Sequence, residues 1–173
     1  MALGRLQDGG TSLVAVLFVH TFKAQVANRY ILSIQNSRPD GRLLEEALRQ
    51  DGDNVGVQTL YSPEAALQQL RDAGNPLPSL MLLAARFPTM TALEFLRACK
   101  SDSRLRPIPV LVTGTYLRPQ EIEELFAEQA SSVIEFPGQL TEFENVVRLI
   151  KAYWLGIAGL SSAEASKNHN MQP

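Results

Sequence analysis

Short unbroken apolar runs alternate with amphipathic stretches along most of the chain. Leu80 to Leu83 are all apolar. An apolar run without polar alternation is the pattern of a central strand buried on both faces of a parallel sheet. Tyr30–Ile34 and Val110–Thr113 read as two further buried strands, Val133–Phe136 as a short one, and the more polar Val55–Tyr61 as an edge strand. Between them, apolar residues recur at helical spacing. Leu43, Leu44, Ala47 and Leu48 make the stripe of a first helix opened by Pro39 and Asp40, and Asp51–Asn54 is a turn cluster. Ser62 caps a second helix with Pro63 at its first position and Ala66, Leu67 and Leu70 facing inward. Thr91 and Glu94 form a capping box before Leu93, Phe95, Leu96 and Ala98. Pro119 opens a fourth helix with Ile122, Leu125 and Phe126 inside. Thr141 and Glu144 form a second capping box. The last helix places Phe143, Val146, Val147, Ile150 and Trp154 on one side and stops at Gly156.

Five strands alternating with five helices predict an α/β domain with right-handed crossovers and a doubly wound parallel sheet. The natural arrangement is flavodoxin-like, strand order 2-1-3-4-5, with the most apolar strands central. In such a sheet a site lies outside the carboxyl ends of the strands. Those ends carry Gln35 and Asn36, then Ala84, Ala85 and Arg86, then Thr113, Gly114 and Thr115, then Glu135 and Phe136. A hard divalent cation asks for several oxygen ligands including carboxylates, and one carboxylate does not make that set. No pair of titratable groups suited to acid–base work and no glycine-rich phosphate loop is visible. Catalytic residues, a metal and a cofactor are therefore expected to be absent. Asn36, Arg86 and Thr115 could together hold an anion.

At 173 residues with 45% apolar and 20% charged residues, the chain suits one domain with tails. A formal charge of −2 with interspersed charges argues against a nucleic-acid surface. Cys99 is the one cysteine and reads as a buried filler, which excludes an intramolecular disulfide. The apolar run Leu13–Val19 is too short to span a bilayer. Its leading segment carries Asp8 and only Arg5 as a positive side chain, a poor match to a secretory signal. The expectation is a cytoplasmic chain without membrane attachment, comprising an extension over 1–28, a domain over 29–156 and a polar, disordered tail over 157–173.

Three segments carry a resemblance: YILSIQNSRPDGRLLEEAL, SLMLLAARFPTMTALEFLRACKSDSRLRPIPVLV, and QASSVIEFP followed by the last helix. Over about Arg29 to Leu155 the chain resembles the receiver domain of two-component response regulators. The middle segment is most similar to single-domain regulators that partner phytochrome-type kinases. The resemblance aligns the family's two magnesium-holding acids with Gln35 and Asn36, and its phosphorylated aspartate with Ala84. It aligns the Ser/Thr that closes on the phosphoryl group with Gly114, although a one-residue slip offers Thr113 or Thr115. The lysine before proline aligns with Phe136, and the switch aromatic of strand 5 with Val133. All of these depart from the family pattern, so the chain resembles a pseudo-receiver. Loss of the acids removes a cluster of like charges, and loss of the lysine removes a charge that would lack its partner. The expectation is a metal-independent domain held in one conformation. The resemblance also implies a cis peptide at Phe136–Pro137.

Two functions follow. One is a phosphorylation-independent, non-enzymatic interaction module in phosphorelay signalling. It would bind a histidine kinase, another receiver or its own copy through a face including Glu121, Glu124, Glu128, Val133, Arg148, Lys151 and Tyr153. The alternative is a small-ligand or anion sensor that uses the vacated pocket.

Overall fold

A computed structural model of the chain describes residues 30–50 and 55–157, with side chains described as far as Leu155. The expectations for 1–28, for the 51–54 turn and for the C-terminal tail lie outside these residues. The order is β1 (Tyr30–Ile34), α1 (Arg38–Arg49), β2 (Gly56–Leu60), α2 (Pro63–Arg71), β3 (Leu80–Ala84), α3 (Ala92–Ser101), β4 (Val110–Gly114), α4 (Pro119–Ala127), β5 (Ser132–Glu135) and α5 (Leu140–Lys151). A π-helical segment, Ala152–Ile157, continues from α5. The strands form one parallel sheet in the order β2-β1-β3-β4-β5, as expected.

The period-2 alternation of strand side chains divides the core in two. Leu32, Ile34, Met81, Leu83, Val110 and Val112 face one way and pack with α2, α3 and α4 through Leu67, Leu70, Phe95, Leu96 and Leu125. Ile31, Leu80, Leu82 and Leu111 face the other way and meet α1 and α5 through Leu44, Leu48, Phe143, Val147 and Ile150. Every residue of β3 is buried. Apolar cover on both faces is why that strand shows no polar position. Cys99 is buried on the α3 side, and burial pushes its thiol pKa up to about 12, consistent with a filler.

Local signals start the helices. Ser62 Oγ accepts from Ala65 N–H at 3.1 Å. The Thr91–Glu94 box is complete: Thr91 Oγ1 accepts from Glu94 N–H, and Glu94 Oε2 accepts from Thr91 N–H at 2.8 Å. The Thr141–Glu144 box does not form. Leu140 is already helical with Gln139 at the N-cap, so Thr141 lies inside the first turn, where its hydroxyl cannot cap. Nor does Gly156 stop the helix, because the backbone widens into π-turns from Ala152 and runs through Ile157. Trp154 is half-buried against the α1/α5 core, edge-on to Tyr153 at 5.2 Å.

Three side-chain placements also differ. Leu43 and Phe126 are exposed, the latter by 50%, because the neighbouring helices cover only part of each predicted stripe. Lys151 is 4% exposed and so is buried, not a surface charge, its stem enclosed where α5 passes into the π-turns. The Phe136–Pro137 bond is trans, with no cis peptide among the described residues. Trans is the favoured form for X–Pro bonds unless packing imposes the other. β5 ends at Glu135, one residue before the predicted end, although Phe136 N–H still donates to Gly114 O at 2.8 Å.

Candidate functional site

The carboxyl ends of β1, β3, β4 and β5 open into one cleft of about 360 Å³. Gln35, Asn36, Ala84, Gly114 and Phe136, each predicted from its strand end, all line it. Asn36 is exposed at the rim, and Ala84 is a buried part of the floor. The parallel register places these ends side by side: Ile34 is paired with Leu83, Ala84 with Thr113, and Gly114 with Glu135.

Several cleft residues were not anticipated. Asp40, Leu43 and Leu44 come from α1, Phe143 from α5, and Pro137 from the loop between β5 and α5. Their helical spacing points toward the sheet but does not reveal that the helix ends overhang the strand ends. Gly41 explains the approach of α1. A Cβ there would lie 2.7 Å from Tyr61 Cε1, so only glycine lets the Tyr61 ring sit against the first turn. Arg38 covers the same ring, with its guanidinium carbon 5.0 Å from the centroid.

Electrostatically the cleft is nearly neutral. Asp40 supplies its one carboxylate and Arg86 its one cation. Arg86, taken above as an anion contact, is engaged elsewhere. Its guanidinium donates to the carboxylate of Glu121 at 3.2 Å and to the carbonyls of Thr115 and Tyr116. Thr115 is exposed, so the predicted anion trio is not assembled around a free positive charge. Glu121 also accepts from Arg118 N–H at 2.9 Å and from its guanidinium at 3.0 Å. These Arg118 contacts, with a smaller share from Arg86, hold its carboxyl down to about 2. Glu135 turns away from the cleft and accepts from Leu117 N–H at 2.7 Å. The 115–118 loop is thus tied by Arg86 on the β3 side and by Glu135 on the β5 side. Tyr116 within it has φ of 55° and is 89% exposed.

Gln35 is 5% exposed and donates through Nε2 to Ser33 Oγ at 3.1 Å. Thr113 Oγ1 donates to Leu83 O at 3.4 Å. Phe136 does not plug the cleft. It forms part of the wall, with its ring 4.8 Å from that of Phe143. Among the described residues, no group of three or more His, Cys, Asp or Glu could hold a metal ion.

Of the predicted interaction face, Glu124, Arg148 and Tyr153 are exposed, while Glu121, Glu128 and Val133 are half-buried. Glu128 is paired with Arg97 at 2.8 Å. No helix among the described residues is long and apolar enough to cross a membrane.

A parallel 2-1-3-4-5 sheet with five helices and a cleft over the β1 and β3 ends is the architecture of a receiver. The chain belongs to the receiver-domain family of two-component response regulators. It is 30% identical over 129 residues to the probable methanogenesis regulatory protein FilR2 of Methanothrix harundinacea, covering 73% of this chain and 83% of that one. It is 25% identical over 139 residues to the response regulator Rcp1 of Synechocystis sp., covering 78% and 95%. The phosphorylated cyanobacterial phytochrome response regulator RcpA superposes with a TM-score of 0.72 at 28% identity, covering 79% of this chain and 100% of that one. The Mn(2+)-bound form of Rcp1 shares the fold with the same TM-score at 24% identity, covering 77% and 99%. No protein-family model matches the chain.

Proposed function

We propose that this chain is a phosphorylation-independent receiver, with one domain over 29–156 acting as a cytoplasmic protein-interaction module in two-component signalling. The observation that carries the reading is Ala84. It ends β3 in the floor of the cleft, where the resemblance places a phosphorylated aspartate. A methyl group offers no oxygen to attack a phosphoryl donor. Gln35 and Asn36 put neutral amides at the positions of the metal-holding acids, and Phe136 stands at the lysine position. The ties from Arg86 and Glu135 to the 115–118 loop further support a domain held in one state. With no charge change available in the cleft, nothing there would move that loop.

Receivers of response regulators interact with histidine kinases. For this chain the partner is a histidine kinase or another receiver, met through α4, β5 and α5. Leu149 and Tyr153 are exposed four residues apart at the C-terminal end of that face, with Phe126 on α4 and the charges of Glu124 and Arg148 beside them. Lys151 is excluded because it is buried. Pairing with a second copy through the same face is the alternative.

The test exposes the full chain to a small acyl-phosphate donor with magnesium and reads intact mass. No phosphoryl adduct is expected, and an adduct overturns the reading. Kinase capture by the parent and by a Glu124→Lys/Arg148→Glu variant, each with and without the donor, then tests the face. Capture that ignores the donor and is lost in the variant supports it.

A further inference from the structure

The two edges of the sheet are unlike. β5 has four residues and ends in Glu135, whose carboxylate accepts from Leu117 N–H. β2 has five, Gly-Val-Gln-Thr-Leu, with no charge, no proline and an unbroken register on β1. Charges, prolines and bulges are the devices that keep an edge strand from taking up a further strand. One bond sets the direction of the β2 backbone. Gln35 N–H donates to Leu60 O, so Gly56, Gln58 and Leu60 turn their amides and carbonyls toward β1. Val57 and Thr59 therefore turn theirs outward. Among the described residues, only the Arg49 guanidinium reaches that outer backbone, donating to Val57 O at 3.1 Å. The side chains are also incompletely covered. Val57 is half-buried against the α1/α5 core and Leu60 against the core on the opposite face, whereas β1 beside them is buried from Ile31 to Ile34.

The chain itself supplies an occupant that fits. Leu13–Val19, LVAVLFV, carries no charge, proline or glycine, and its valines and phenylalanine favour a strand. Its place along the chain fits as well. Tyr30, the first described residue, is paired with Gly56 at the start of β2. An antiparallel strand on the outer edge of β2 brings Val19 beside Gly56, two strand spacings or about 10 Å from Tyr30. Residues 20–29 can span about 33 Å when extended, so they cross that gap with slack. A parallel strand would need a crossover of about a dozen residues or more. So short a tether holds the segment at an effective concentration on the order of millimolar, which favours it over the edge of a second copy.

We propose that Leu13–Val19 adds to the outer edge of β2 as a sixth, antiparallel strand. It bonds to the backbone of Val57 and Thr59 and completes the cover of Val57 and Leu60. The Val57 carbonyl has a second lone pair for it beside Arg49. The added strand closes the uncharged edge of the sheet to other chains. This inference does not depend on the chemistry of the cleft.

Amide hydrogen exchange of the 15N-labelled full chain tests it. The amides of Gln58 and Leu60, bonded to β1, serve as internal references, and those of Leu82 and Leu83 report that the core is intact. Val57 and Thr59 should be protected at least about a hundredfold over an open edge, and a hundredfold dilution should leave that protection unchanged. An Ala15→Pro/Val16→Pro variant of the full chain cannot pair through the middle of the segment. In it, Val57 and Thr59 should exchange as open amides while Leu82 and Leu83 stay slow. Unprotected Val57 and Thr59 in the parent overturn the proposal. So does protection that survives in the proline variant, because something else then covers the edge. Protection that disappears on dilution assigns the edge to a second copy and overturns it too.

Discussion

Lys100 offers a strong test of how the scaffold beneath the cleft is held. It lies in the last turn of α3 and is 9% exposed. Its Nζ donates to Ile108 O at 2.8 Å and to Arg106 O at 3.1 Å, and Arg106 Nε donates back to Lys100 O at 2.8 Å. This clasp closes the segment leading into β4. Lys100→Met keeps the stem and removes the donor. The Ile108 bond is buried, so its carbonyl would be orphaned at a cost of about 1–3 kcal/mol. The Arg106 carbonyl is partly exposed, and water replaces much of its loss. The variant also escapes the cost of burying an ammonium, which places the net loss at about 1–2 kcal/mol. At about 2–4 °C per kcal/mol for a chain of this size, Tm should fall by roughly 2–8 °C. Urea unfolding at neutral pH with an unchanged m-value measures it. A variant within about 0.5 kcal/mol of the parent refutes the reasoning.

The pH dependence supplies a second sign. Burial lowers the Lys100 pKa below its ordinary 10.5. The folded state therefore bears a cost while the amine is charged in both states, and that cost is relieved as pH climbs through the folded pKa toward 10.5. The parent should gain on Lys100→Met over that window. A gap that narrows instead would show that burial is not the dominant influence on this amine.

Two further outcomes follow from contacts at the 115–118 loop. Glu121→Gln removes a carboxylate whose folded pKa is depressed to about 2, so its contribution is present above about 4.5 and lost as pH falls toward 2. The variant should be less stable at neutral pH, with the difference closing below pH 4.5 in urea midpoints taken across that range; a constant difference would sink the argument. Gly114→Ala places a Cβ 3.1 Å from Leu117 Cδ2 and 3.2 Å from Ala85 Cβ, and the latter is fixed to the backbone. Overpacking of about 1–3 kcal/mol exceeds the entropic gain from losing a glycine, about 0.4–1 kcal/mol, so a lowered thermal midpoint is expected, and a raised one refutes it.

What the sequence reveals here divides along physical lines. The end-to-end apolar run of β3 and the caps at Ser62 and Thr91 are local, and each settles its own element. The strand order follows from alternation and handedness, and with it the meeting of Gln35, Ala84, Gly114 and Phe136 in one cleft. Side-chain exposure on helix flanks is not local. Leu43, Phe126 and Lys151 sit at the borders of their stripes, where the placement of neighbouring helices decides exposure. The overhang that brings Asp40 and Phe143 to the cleft depends on where α1 and α5 rest on the sheet, which periodicity does not encode. Arg86 shows the same limit: its position at a strand end is legible, but its engagement by Glu121, thirty-five residues away, is not.

The burial of β3 on both faces has a consequence for recognition. Core strands of this kind are the ones that open only on global unfolding, so the β3 amides, and with them the cleft floor at Ala84, are expected to be among the last of the domain to exchange. The 115–118 loop, tied from both sides, adds little freedom of its own. Whatever enters the cleft meets a mould already set. It incurs little ordering cost in the receptor, and misfits are rejected by shape because the walls do not reshape around them.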